Sequence, residues 1–553
     1  MSKDIDQCMN RIEENNLTVN ANTIITDIDS RSITASVDHS TILEEEKTNT
    51  KSNWLTYIWG DIYATDNPNQ YSQKKKNVII LLVALGGLCG PLSSMMYMPG
   101  ILAVAADLNT SISSVNGTIS AYVVFMGISP LFWAALSDTY GRKRMYIVSG
   151  IINVISSIIC AFSRNIGMLV VFRAIQSFGA NAGLTLGAGV IADCISMEVR
   201  GKAYGFFYMG PLVGPVIGPT IGGFLCEYLN WQSTFYFTAV MAGVLLIMSA
   251  AFLPETLRKK RVVFEKSIDK DENPVVIEDK PPSFLDTLKV SFKPMVVMLY
   301  DPTVNLLTAY NTVIFACLYF LNPTITDTFK RIYGYTEWQV GLCYLAMGAG
   351  FMIGSVLSGQ YSDYVLRKLS EQKEPGHQIV SEMRLQAAVP SFFLIPAGYL
   401  IYGWSTEKGV GVYAPLIGLF LYALGQMWAF TPTSVYLVDS KPGYSATAVG
   451  VNSCVRCLVA AITTAFSADA VHAVGTGVLF TILAVINVLN CGFVIVCYLY
   501  GYKWRLKFEE KHMPELYEIS MRKTQVKKVE LLEKKEDGIE RIQTQHSACY
   551  SIA

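Results

Sequence analysis

Two arginines stand where a charge is costly. Arg173, in VVFRAIQSFG, and Arg456, in VNSCVRCLVA, each lie inside a long apolar run. A cation there must face a bundle interior or a wet cavity; on insertion scales it costs at least about 2.5–3.5 kcal/mol. Its field would also depress the pKa of a nearby carboxylate and favour proton release. Gln176 follows Arg173 by about one helical turn, and Asn452 precedes Arg456 by the same interval, so each cation has a polar neighbour on its own helix. At the edge of another run stands LSDTYGRKRM (136–145), in which Gly141 permits a tight turn and Asp138 precedes three cations, Arg142, Lys143 and Arg144. Cations at a membrane edge need no special account, but a carboxylate at the end of a spanning helix is costly unless paired. An ionic latch is the expected arrangement. GQYSDYVLRK (359–368) echoes it with Asp363, Arg367 and Lys368.

The elements that must position these residues are membrane spans. The chain has 553 residues, 51% of apolar type and only 16% charged, where soluble domains carry about 25%. Its charge is concentrated in 1–76, 255–294 and 503–547, and apolar runs of spanning length lie between these blocks. The runs predict twelve spans: 77–99, 115–136, 145–163, 166–192, 203–227 and 234–253, then 302–325, 338–360, 385–404, 411–437, 443–469 and 474–500. The expected domains are a disordered tail (1–76), a six-helix bundle (77–254), a middle loop (255–300), a second six-helix bundle (301–500) and a C-terminal tail (501–553). No basic-then-apolar leader occurs in 1–76, so the first span is expected to serve as an uncleaved signal. Arg142 to Arg144, Arg200, Lys202, 258–261, Arg367, Lys368 and Arg384 fall on one side. The positive-inside rule then makes that side, both termini and the middle loop cytosolic.

Residues 210–223, GPLVGPVIGPTIGG, repeat Gly-Pro every four residues. Each interior proline costs a helix about 3 kcal/mol. Glycines at this spacing make a smooth helix face for close approach to a neighbour, here expected to be a helix of the other half. Together these stretches resemble the major facilitator superfamily. LSDTYGRKR is similar to its loop signature, with Ala134 in place of the first glycine. FRAIQSFGANAG (172–183) is similar to its span-four pattern, with Ser177 in place of a glycine. Gly210, Gly214, Pro215, Gly218, Gly222 and Gly223 resemble its span-five antiporter motif. Asp193 with Glu198–Lys202, and Pro254-Glu255-Thr256, resemble the fungal twelve-span drug:proton antiporters, and the general feel is of the quinidine-resistance and dityrosine transporters. The resemblance covers about 77–500. It implies an all-α membrane protein of the major facilitator fold, two six-helix bundles around a central cavity. It also implies export of drugs, amino-acid-derived or cationic compounds against proton entry at the plasma membrane, with Arg173 and Gln176 in proton transfer. An organic-acid or other metabolite exporter or facilitator is the alternative, and a multi-span receptor is disfavoured by the span count.

Zero net charge gives no sign of a nucleic-acid partner, and no G-K-[ST] phosphate loop suggests ATP-driven transport. Five scattered histidines suggest no enzyme active site, and no cofactor or metal is expected. Cysteines inside apolar runs read as packing, including Cys454 and Cys457. The partners expected are a small-molecule substrate, protons and membrane lipid, with the chain as a monomer. Tyr97, Tyr122, Phe125, Tyr208, Tyr310, Tyr319 and Trp428 are candidates to line the cavity, because aromatic faces accept varied apolar or cationic substrates. Asn109 and Asn116 head two sequons in the first outside loop and are candidate glycosylation sites. The acids Asp107, Asp138, Asp193, Glu227, Asp327, Asp439 and Asp469 all lie near span ends, so the carboxylate that would carry a coupling proton is not evident.

Overall fold

Apolar runs of about twenty residues without charge can satisfy their backbone only as helices, because lipid offers no hydrogen-bond partners. A computed structural model describes residues 68–195, 200–257, 292, 294–372, 381–441 and 444–513. The expected tail 1–67, most of the middle loop and residues 514–553 lie outside the described residues. Among the described residues, eleven helices are long and apolar enough to cross a membrane. The twelfth expected span, the fourth in order, is built from two shorter helices, Ile166–Ala180 and Ala182–Cys194. They meet at Asn181, whose side-chain amide donates to the Ser177 carbonyl (3.0 Å) and hydroxyl (3.0 Å). Such local side-chain bonding competes with the helix ladder.

In the first half, span one (Gln73–Met96) packs on span five (Arg200–Leu229), span three (Arg142–Ala161) on span six (Gln232–Phe252), and span two (Ile112–Tyr140) on span four. In the second half, span seven (Pro302–Tyr333) packs on spans eleven (Ser445–Ala465) and twelve (Thr476–His512). Span ten (Tyr413–Ser440) packs on spans eight (Glu337–Gln372) and nine (Ser391–Glu407). The halves meet where span five touches span eight and span two touches span eleven.

Span twelve runs well past its expected end at residue 500. Arg505 and Glu509 are buried, so this stretch is packed structure rather than tail. Lys441 is fully buried between Asp301 (2.6 Å) and Glu509 (3.0 Å), and Arg505 pairs with Glu382 (3.0 Å), which also accepts from the Tyr436 hydroxyl (3.1 Å). This cluster ties the end of span twelve to the starts of spans seven and nine.

Span five remains one helix through Pro211, Pro215 and Pro219. Its glycine face does not meet the other half, as expected from the sequence, but span one of its own half. A methyl group added at Gly210 would strike the Ala84 carbonyl oxygen, one at Gly214 the backbone at Pro91–Leu92, and one at Gly222 the Met96 carbonyl oxygen. Gly218 lies over Met95 and Met96, and Gly223 alone of the motif faces span eight, at Glu337 and Trp338. A backbone that lacks donors at its prolines is thus packed directly against another backbone, where small residues give the closest van der Waals contact.

Gly222→Leu and Gly210→Leu are therefore expected to abolish a folded, monodisperse product in detergent. Gly243→Ala, at a glycine with open space beside it, should leave folding unchanged. Size-exclusion profiles of the three fluorescently tagged variants check this. A monodisperse Gly222→Leu would refute the contact.

Candidate functional site

The two apolar-run arginines occupy matching settings in the two halves. Arg173 is fully buried, its guanidinium 4.3 Å from the Tyr122 ring, 4.7 Å from Tyr97 and 5.5 Å from Phe235. It donates to the Ser93 carbonyl (3.2 Å) and to Gln176 Oε1 (2.9 Å), and Gln176 in turn donates to Ser157 (2.8 Å) and Thr238 (3.4 Å). Its Nε and second terminal nitrogen have no partner in the protein. Arg456 lies 4.5 Å from the Phe315 ring and 4.8 Å from Phe430, and donates at 3.4 Å to Ser453 on its own helix. Its Nε likewise lacks a partner, and the side chain is only partly buried. Cation–π contact with desolvated rings offsets part of the cost of each charge, by about 2 kcal/mol at best.

No carboxylate shares this layer. The stretches 74–106, 108–137, 139–192, 200–226, 303–326, 413–438 and 444–468 contain no Asp or Glu. Tyr319 of span seven joins the two settings: its ring is 4.9 Å from Phe315, its hydroxyl faces the Met126 sulfur of the other half, and it lies within electrostatic reach of both arginines. Asn452 does not pair with Arg456. It accepts from Asn311 (3.3 Å), which accepts from Thr433 (2.9 Å), a neutral clamp across spans eleven, seven and ten.

The aromatic candidates divide. Tyr97, Tyr122 and Tyr319 surround the arginines. Phe125 packs edge-on to Phe178 and Trp428 against Tyr361. Tyr310 is corrected: it is buried inside the second half, bonded to Ser391 (3.2 Å), with its carbonyl accepting from Asn490 (3.0 Å). Tyr208 is half exposed and stacked on Tyr204, remote from both arginines. Asn116 is also corrected. It is buried and donates to Ser467 of the other half (3.3 Å), so it offers no amide for glycosylation, whereas Asn109 is exposed.

That Asn116 contact belongs to a seal. At the end of the halves opposite the basic loops, Ser113 donates to Asp469 (2.7 Å), Thr326 to the Met98 carbonyl (3.0 Å), Thr220 to the Gly341 carbonyl (3.2 Å) and the Trp338 N–H to Glu227 (3.2 Å). Toward the basic end, Gly205 of span five and Gly359 of span eight have open space beside them. There Phe132 of span two makes a ring contact with Phe292, which precedes span seven.

The ion clusters at the basic end are each internal to one half. Arg142 pairs with Asp138 (2.6 Å) and Asp193 (3.3 Å), and Thr256 donates to Asp193 (3.0 Å). Glu255 accepts from the backbone N–H groups of Arg142 (2.8 Å) and Lys143 (3.1 Å) at the start of span three, where a helix end attracts negative charge. Gly141 is at φ +108° directly under that carboxylate, so a side chain there would be strained and would collide with it. In the second half the cation is not Arg367, which is exposed, but Arg384, paired with Asp363 (2.9 Å) and Asp439 (3.3 Å). Sequence reasoning missed Arg384 because it falls outside the loop motif. The signal that could have found it is Asp439, which closes span ten as Asp193 closes span four.

Removing Glu255 strands the N–H groups of Arg142, Lys143, Thr256 and Leu257 in a partly buried site, at about 1–3 kcal/mol for each left unmet. Glu255→Ala is expected to lower the thermal midpoint of the detergent-solubilised protein by several degrees, with Glu255→Gln between it and wild type. An unchanged midpoint would refute the capping role.

The Major Facilitator Superfamily model matches residues 83–464. The MFS-type transporter penM of Penicillium rubens is 32% identical over 80% of this chain and 87% of its own length. The efflux pump radE of Floropilus chiversii is 29% identical over 79% of this chain and 82% of its own. A crystal structure of a D-xylose–proton symporter matches in fold, with a TM-score of 0.53 and 17% identity over 76% of this chain and 97% of that one. With its helices arranged as two halves that touch through spans five and eight and spans two and eleven, this chain belongs to the major facilitator superfamily: it is a multi-pass membrane transporter and not an enzyme.

Proposed function

We propose that the chain exports small organic molecules in exchange for protons. The basic face and both termini would be cytosolic, in the plasma membrane, and a monomer would be the working unit. The observation that carries this reading is the combination of a seal at the acidic end with unneutralised arginines midway through each half. A solute entering from the basic end would meet Arg456, and the field of the enclosed Arg173, before it met the closed seal. Opening that seal while the basic end closes is alternating access between two bundles. The span-five Gly-Pro repeat, the likeness to proteins named as transporters and to one named an efflux pump, and the excess of cations on one face all support outward export. Multidrug resistance is the cellular role such an activity would confer.

Coupling to protons is ordinarily carried by a carboxylate, and the layer of the two arginines supplies none among the described residues. The acids at the basic end include Asp138 and Asp193, held by Arg142, and Asp363 and Asp439, held by Arg384. In this reading Arg173, oriented by Gln176, raises the positive potential of the interior and so favours proton release from a carboxylate toward the basic side. Asp138 and Arg142 would meet the second half only when the basic end closes.

Flux in vesicles with an imposed proton gradient tests the reading. Arg173→Ala is expected to abolish gradient-driven export. Unchanged pH dependence in this variant would reduce Arg173 to a structural cation. Asp138→Asn should lower flux severalfold at normal expression, and wild-type flux in a well-expressed Asp138→Asn protein would refute the latch.

A further inference from the structure

We infer that the substrate carries a carboxylate, and that Arg456 with the Phe315 and Phe430 rings is the site that receives it. This deepens the export reading by naming its substrate class. Three observations converge. Arg456 is partly accessible, its Nε has no protein partner, and its hydrogen bond to Ser453, on the same turn, is long at 3.4 Å. Arg173 supplies a second unneutralised cation, sealed behind Tyr97 and Tyr122, with Tyr319 between the two. No acid occurs in any stretch of chain that forms this layer.

A guanidinium in low dielectric attracts an anion far more strongly than it does in water, and it binds a carboxylate through two parallel N–H donors. The protein provides no such anion here, so a carboxylate from outside supplies the missing charge. A cationic substrate would face two like charges with nothing to offset them. The rings that flank Arg456 set the rest of the chemistry. They offer apolar faces beside the charge, suited to an organic acid with an aromatic or similarly flat body rather than a small inorganic anion. Arg173, fully enclosed, acts through its field and takes no direct part in contact.

Three ligands of one skeleton separate the possibilities: 4-phenylbutyrate, 4-phenylbutyramide and 4-phenylbutylamine. Equilibrium binding to purified full-length protein, without any gradient, should rank the carboxylate first and the amine last, with acetate much weaker than 4-phenylbutyrate. Arg456→Gln should weaken the carboxylate about tenfold or more while moving the amide less than about twofold. Arg456→Lys, which keeps the charge but loses the planar fork, should fall between. Phe430→Leu should weaken the acid and the amide together. An amine that binds wild type as well as the acid, a carboxylate affinity unchanged in Arg456→Gln, or no binding of the acid to folded wild type would each overturn the inference. The ranking on wild type decides the matter even if Arg456→Gln fails to fold. A carboxylate that binds in this manner but is not moved by a proton gradient would sink the proton-driven reading and leave this site standing.

Discussion

A membrane protein can hold a buried charge only by neutralising it, solvating it or surrounding it with polarisable groups. Here the first route is closed, because the spans keep their acids at the two ends. The rest of the interior follows from that restriction. Aromatic rings stand around Arg173 and Arg456, amide and hydroxyl groups occupy the few donors they can reach, and some nitrogens stay unmet. Ion pairs appear in quantity only where the bundles approach their ends, and there they are dense: Arg142 between two aspartates, Arg384 between two more, and Lys441 and Arg505 among buried acids. Charge is thus sorted by depth, with paired charge at the ends and unpaired positive charge between them.

Much of this was legible in the sequence where the signal was local. Span lengths, the Asp138–Arg142 pairing and the burial of Arg173 beside Gln176 follow from hydropathy and from spacing along one helix. Relations between distant segments were less accessible. The glycine face of span five is evident in GPLVGPVIGPTIGG, but its spacing says only that a backbone approaches, not whose, and the partner proved to be span one. Arg367 stood at the motif position, yet Arg384 beyond the next loop reaches Asp363, because a helix start can aim a side chain back over the preceding helix end. Aromatic residues were the hardest to place. Tyr310 and Tyr319 lie on one helix, and only the packing of spans nine and twelve turns the first away from the interior.

The two halves repeat one design with different parts. Asp138 and Asp363 close the second helix of each half, Asp193 and Asp439 the fourth, and one arginine clamps each pair. The first half then caps its third helix with Glu255 from the last, whereas the second half uses its last helix to bury Lys441 and Arg505 against acids. Matching aspartates do not require the same cation to serve them, since a guanidinium on a long stem can reach the same point from several backbone positions.

The backbone-to-backbone seam between spans one and five has a mechanical consequence. Where side chains interdigitate, helices can slide by exchanging rotamers; where carbonyl oxygens abut glycines, there are no rotamers to exchange. Spans one and five must therefore tilt as a single plank. The joint between spans five and eight is tight in the same manner toward the sealed end, where a methyl group at Gly341 would meet the Pro219 carbonyl oxygen and one at Gly348 the Val216 backbone, and it widens at Gly205 and Gly359 toward the basic end. Stiffness in these packed pairs thus limits the halves to rocking as whole bodies rather than sliding past one another.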